Sequence, residues 1–149
     1  MGTVTDTMPK PGELLTAAEY GGKLFLDGYA LESITCQTLE ILDEDVFWLN
    51  RYGESNGFPD MEVRGHSIDC KGSKTYYGSM FLGFDSYESM KRRRFSYGQI
   101  WYVLNDLSVV SWDEADKIKD RKDGGWVVKS VGRTINEFLK EIRNDSSNR

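Results

Sequence analysis

The chain has 149 residues, a length that suits a single domain with room for a core, since 39% of the residues are hydrophobic and 13% aromatic. A net charge of −5 disfavours non-specific attraction to nucleic acid or anionic membrane and favours a basic partner. No apolar run approaches the length of a membrane span, and the opening residues do not read as a signal peptide, so a cytoplasmic protein with Cys36 and Cys70 as reduced thiols is expected.

Residues 1–12 show little pattern and read as a flexible arm, 13–144 as one α+β domain, and 145–149 as a frayed tail. Leu14, Leu15 and Ala18 suggest a short helix over 13–20, stopped by Gly21-Gly22. Strands are expected at 23–28 and 30–41 around Asp27-Gly28, although neither face of the second is cleanly apolar. For 43–53 a helix and a strand compete, and the aromatic run Phe47-Trp48 tips the reading to strand. After turn residues at 53–60, strands are expected at 61–70 and 74–84. Residues 85–94 read as a polar connection with at most one helical turn.

Segments 97–105 and 107–112 form the clearest hairpin, hinged at Asn105-Asp106. A charged stretch over 113–125 precedes a strand at 125–131. Thr134 and Glu137 have capping-box spacing, and Ile135, Phe138, Leu139 and Ile142 share one helical face. The fold class expected is α+β: a twisted, mostly antiparallel sheet with a C-terminal amphipathic helix packed on one face.

Reactive chemistry finds little support in the pattern. One histidine and two cysteines do not make a structural metal site, so no metal is expected. On a regular strand His66 and Cys70 lie about 13 Å apart, too far for a catalytic pair. No phosphate-binding glycine motif occurs, and no cofactor is expected. Among 24 acidic residues no spacing singles out two.

Charge clusters leave two binding readings. Asp113, Glu114 and Asp116 beside Trp112 form an acidic surface suited to a basic protein partner, with Trp112 as an anchor. Alternatively, Lys91, Arg92, Arg93 and Arg94 hold phosphates while Tyr97 offers a face to bases. The negative total charge ranks nucleic acid second, with the run read as a solvated loop.

The segments "VVSWDE" (109–114) and "WVVKSVGRTINEFLKEI" (126–142) together resemble the end of SUKH-superfamily domains. Such domains often close with a strand carrying an apolar-Trp-Asp segment, then a strand entering a Ser-Phe-x-x-Phe-Leu helix. Thr134, Ile135 and Phe138-Leu139 take the helix positions, and "FWLNRYG" (47–53) matches an earlier helix and turn of the family. The resemblance implies a non-enzymatic, immunity-type protein that binds and neutralises a toxin.

Overall fold

In a computed structural model, residues 28–50, 59–71 and 77–147 are described. The arm, the helix expected at 13–20 and most of the strand expected at 23–28 lie outside them. The first described element is helix α1 (Gly28–Ile41), where 30–41 was expected to be a strand. Leu31, Ile34, Thr35 and Leu39 are buried and recur at the three- and four-residue spacing of one helical face. Thr38, a residue that favours strands, donates its hydroxyl to the Ile34 carbonyl at 2.6 Å. The helix ends where Asp43 turns left-handed (φ 66°) and the Glu44 amide closes on the Leu39 carbonyl.

A short strand β1 (Val46–Phe47) follows, then β2 (Met61–Val63) and β3 (His66–Cys70). The single strand expected over 61–70 is in fact this β2–β3 hairpin. Arg64 and Gly65 both have positive φ, 50° and 79°, and Val63 pairs with His66, which is the geometry of a tight two-residue turn. Strand β4 (Ser79–Gly83) leads into α2 (Phe84–Tyr97). This full-length helix replaces the polar connection expected at 85–94. Its acids, Asp85 and Glu88, come early and its run Lys91–Arg94 comes late, the order the helix dipole favours.

The remaining elements are β5 (Ile100–Val103), β6 (Val109–Ser111), α3 (Trp112–Ile118), β7 (Asp120–Lys122), β8 (Gly125–Lys129) and α4 (Ile135–Ser147). A five-stranded sheet runs β1-β2-β3-β5-β6, antiparallel except for the β3–β5 pair, and β4-β8-β7 form a second, antiparallel sheet. The fold is therefore α+β, as expected. The hairpin at Asn105-Asp106 and the capping box at Thr134 are present too: the Glu137 amide donates to the Thr134 hydroxyl at 3.1 Å.

Every residue of β5 is buried, and its alternation splits the core in two. Trp101 and Val103 join Leu31, Ile34, Ile68, Phe138, Leu139 and Ile142 under α1 and α4. Ile100 and Tyr102 face the opposite side, with Met80, Met90, Val110, Trp112 and Val128. The buried Glu44 carboxylate fastens the first layer, accepting from Arg64 at 2.7 Å and Arg143 at 2.8 Å. Among the described residues, no helix is long and apolar enough to cross a membrane.

The second sheet depends on Gly125. A Cβ there would strike the Leu82 carbonyl oxygen and lie 2.8 Å from both the Gly83 Cα and the Phe81 ring. Gly125→Ala is expected to destabilise the protein by about 1–3 kcal/mol through overpacking of the β4–β8 pair. Urea denaturation checks this, and an unchanged midpoint would show that the two strands can part without cost.

Candidate functional site

The two-residue turn at Arg64-Gly65 has a consequence beyond the fold. Met61 pairs with Ile68, so one step further out Asp60 stands opposite Asp69. The two are cross-tied. The Asp60 amide donates to Asp69 Oδ1 at 3.0 Å, and the Cys70 amide donates to Asp60 Oδ2 at 2.8 Å. Each carboxylate thus has one oxygen held by the neighbouring strand. Asp69 is only 5% exposed, yet its Oδ2 accepts no hydrogen bond. The Arg93 guanidinium of α2 stands 3.5 Å from that oxygen, an ion-pair distance without hydrogen-bond alignment.

Burial pushes the Asp60 carboxyl up to about 7, and the nearby Asp69 charge adds to the rise; the Cys70 amide and Lys71 oppose it. Asp69 is raised as well, mainly by burial, against the Asp60 amide, Arg93 and Lys71. Lys71 follows Asp69 by two positions with its amide still bonded to the Val103 carbonyl at 2.9 Å, and so projects to the same side. Behind the pair, Glu32 of α1 is 6% exposed and is fixed by Trp48 Nε1 at 3.0 Å and Asn50 Nδ2 at 3.1 Å. Its charge also raises Asp60.

This arrangement has three chemical capacities. A carboxyl that titrates near neutrality can take or give a proton in general acid–base catalysis. Two adjacent carboxylates are hard oxygen donors for a cation, and two cations nearby suit a phosphate. Among the described residues no three His, Cys, Asp or Glu side chains are arranged to hold a metal ion by themselves. A magnesium-type ion needs fewer, because one or two carboxylates hold it while water and substrate phosphate complete its shell. The orphaned Asp69 Oδ2 beside Asp60 fits that smaller requirement.

The residues singled out from the sequence lie elsewhere or fulfil other contacts. Trp112 is buried and stacks on Tyr87 with ring centroids 5.9 Å apart. Asp113 takes both prongs of Arg94 at 2.9 Å and the Gln99 amide at 3.0 Å. Glu114 completes a capping box with Ser111 and is gripped by Arg133 at 2.6 and 2.9 Å, which with Ser111 draws its carboxyl down to about 2. Asp116 accepts from the Tyr87 hydroxyl at 2.6 Å and Lys119 at 2.9 Å. The acidic patch is thus matched by the chain's own cations.

The basic run is divided by helical geometry. Arg94 turns to Asp113 and Arg93 to Asp69, while Lys91 and Arg92 are exposed. Tyr97, one turn beyond Arg93, is 84% exposed. His66 accepts from Trp101 Nε1 at 3.3 Å through Nδ1. Cys36 and Cys70 are buried and form no disulfide, and burial pushes the Cys70 thiol well up, which leaves it a poor nucleophile.

Sequence reasoning therefore missed Asp60, Asp69, Lys71 and Glu32. The available signal was the near-symmetry of Asp60 and Asp69 about Arg64-Gly65, invisible once 61–70 is read as a single strand.

No protein-family model matches the chain, and no curated protein matches it. Among solved structures it is similar to Hjc, a Holliday junction resolvase from the archaeal hyperthermophile Archaeoglobus fulgidus. Identity is 14%, over 74% of this chain and 96% of that one, with a TM-score of 0.49. The resemblance to SUKH domains does not hold: no family model matches the chain, and the motif residues depart from the pattern. Trp112-Asp113 open helix α3 instead of continuing a strand, and Val46-Phe47 form strand β1 where a helix was implied. The non-enzymatic immunity role and the toxin or basic-protein partner that the resemblance implied are withdrawn with it. The low rank of nucleic acid, which rested on the net charge, is withdrawn because Arg93 stands at the buried carboxylate pair and Lys91 and Arg92 are exposed on the same helix.

Proposed function

We propose that this chain cleaves phosphodiester bonds of nucleic acid at the Asp60–Asp69 pair, using a divalent cation, in the cytoplasm. The observation that carries the reading is the orphaned, buried Asp69 Oδ2 facing a carboxyl that titrates near neutral pH. Such a pair costs stability unless something occupies it.

Asp60 and Asp69 would hold the cation. Bound there, a divalent ion supplies charge stabilisation for the phosphoryl oxygens and lowers the pKa of water. Asp60 and Asp69 are positioned for this by each other's strands, the Cys70 amide holding Asp60 Oδ2 and the Asp60 amide holding Asp69 Oδ1. Lys71 and Arg93 place positive charge where the phosphate gathers negative charge in the transition state. Glu32, anchored by Trp48 and Asn50, keeps α1 against the site and holds the local field negative enough to attract a cation.

Helix α2 serves as the substrate rail. It carries Arg93 to the pair and leaves Lys91, Arg92 and Tyr97 open to solvent. These supply phosphate contacts and a ring face for a base. The local cations offset the chain's negative total where it matters.

The test is a cleavage assay of purified protein on single-stranded, duplex and branched DNA and on RNA, with magnesium or manganese. Cut products are expected only with the divalent ion. Absence of cleavage on every substrate under both ions overturns the reading.

A further inference from the structure

Tyr102 is fully buried in an apolar layer with Met80, Met90, Leu104, Val110 and Val128. Phenylalanine would fill the same ring volume there. Instead the chain buries a hydroxyl that has no hydrogen-bond partner, an arrangement that normally costs stability and is seldom kept without a use. The position of that hydroxyl suggests the use. Tyr102 on β5 is the direct register partner of Asp69 on β3, and register partners project to the same side of a sheet. The phenol feels the charges of Asp69 and Arg93, and Arg93 Nη1 lies 3.5 Å from Asp69 Oδ2 and 3.4 Å from the sulfur of Met90, a member of the Tyr102 layer. Two buried polar atoms without partners, one a donor and one an acceptor, therefore lie on one face of the sheet, with Arg93 beside the acceptor.

We propose that Tyr102 is a positioning residue for Asp69, its hydroxyl donating to the Asp69 carboxylate when the pair closes on a cation. This rests on the cation-site reading above. In the cation-free state the donor and acceptor stand apart, at a cost to stability. Cation binding recovers that cost by drawing Asp69 into a fixed orientation against Tyr102, with Arg93 alongside. The phenol never touches the substrate; it acts through Asp69 alone.

The proposal sets stability against function at a single oxygen atom. Tyr102→Phe should leave the melting temperature of the cation-free protein unchanged or raise it. The same variant should weaken manganese binding and lower kcat, each by about tenfold, as loss of a partner to a metal-ligating group does. KM for nucleic acid should stay the same, because the phosphate-contacting cations are intact. Tyr87→Phe is the control: it removes a half-buried phenol's bond to Asp116 away from the carboxylate pair and should leave manganese affinity at the wild-type value.

Calorimetric titration of manganese and steady-state cleavage, run on the full chain and both variants, decide the matter. Weaker binding and slower turnover in Tyr102→Phe alone, without loss of thermal stability, bear the proposal out. Equal affinity and kcat in wild type and Tyr102→Phe overturn it while leaving the carboxylate site standing. A fall in melting temperature with unchanged affinity makes Tyr102 purely structural and also overturns it. Wild-type protein that binds no manganese removes the site and the proposal together.

Discussion

Asp69→Asn is expected to reduce phosphodiester cleavage by about a thousandfold, a loss of roughly 4 kcal/mol of transition-state stabilisation. The substitution conserves volume and keeps an oxygen for the Asp60 amide, which donates to Asp69 Oδ1 at 3.0 Å. What changes is the second oxygen, the one without a hydrogen-bond partner, which becomes an amide nitrogen. A nitrogen there cannot ligate a hard cation, and it meets Arg93 as one donor facing another. Stability should fall too, because Arg93 keeps its charge and loses its carboxylate partner, so cleavage is measured at a temperature where the variant is folded. Single-turnover cleavage with a parallel thermal melt measures both. Activity within a few fold of wild type would mean that the buried pair is structural.

Asp60→Asn is expected to stabilise the protein above pH 7 and have no effect near pH 4. Asp60 titrates at an ordinary value of 3.8 in the unfolded chain and at about 7 in the fold. Between those values the unfolded chain releases a proton that the folded chain keeps, so rising pH favours unfolding. The penalty begins near pH 4, grows to about pH 7 and is complete above it. Three pH units correspond to about 4 kcal/mol, and partial solvent access brings the expected effect to about 2 kcal/mol. Glu114 acts with the opposite sign. Arg133 and Ser111 draw it from 4.5 to about 2, so its contribution is present above pH 4.5 and is lost as pH falls toward 2. Wild-type stability should therefore peak at mildly acidic pH, while the variant declines less as pH rises to 8, the raised Asp69 carboxyl accounting for the remaining fall. Urea denaturation from pH 4 to 8.5 tests this, and curves that stay parallel would show that Asp60 ionises without penalty.

Some of this could be read from the sequence because local signals and tertiary packing agree. The last helix announces itself through the Thr134–Glu137 box and the Ile135, Phe138, Leu139, Ile142 face, and these side chains are buried as that pattern demands. The β5–β6 hairpin is similar: apolar runs flank Asn105-Asp106. Helix α1 was misread because Ile34, Thr35, Cys36 and Thr38 favour strands intrinsically. Burial of Leu31, Ile34 and Leu39 on one side decides for the helix. Helix α2 was missed because only Met90 along it is buried, so hydrophobic periodicity has almost nothing to show.

The site was hidden for a geometric reason. On one continuous strand Asp60 and Asp69 would lie about 30 Å apart at 3.3 Å per residue. A two-residue turn between them reverses the chain and sets them face to face. The acids that did stand out, Asp113, Glu114 and Asp116, drew attention by density alone, and density does not reveal that Arg94, Arg133 and Lys119 already neutralise them. Glu32 comes from a helix many residues earlier, and only the tertiary fold brings it near.

Calorimetric titration of manganese into the wild-type protein and into the Asp60→Asn, Asp69→Asn double variant tests the carboxylate pair most directly. One saturable site in the wild type, absent from a double variant that still folds, is the result predicted. No saturable binding in the wild type, or binding that survives the double substitution, would contradict it.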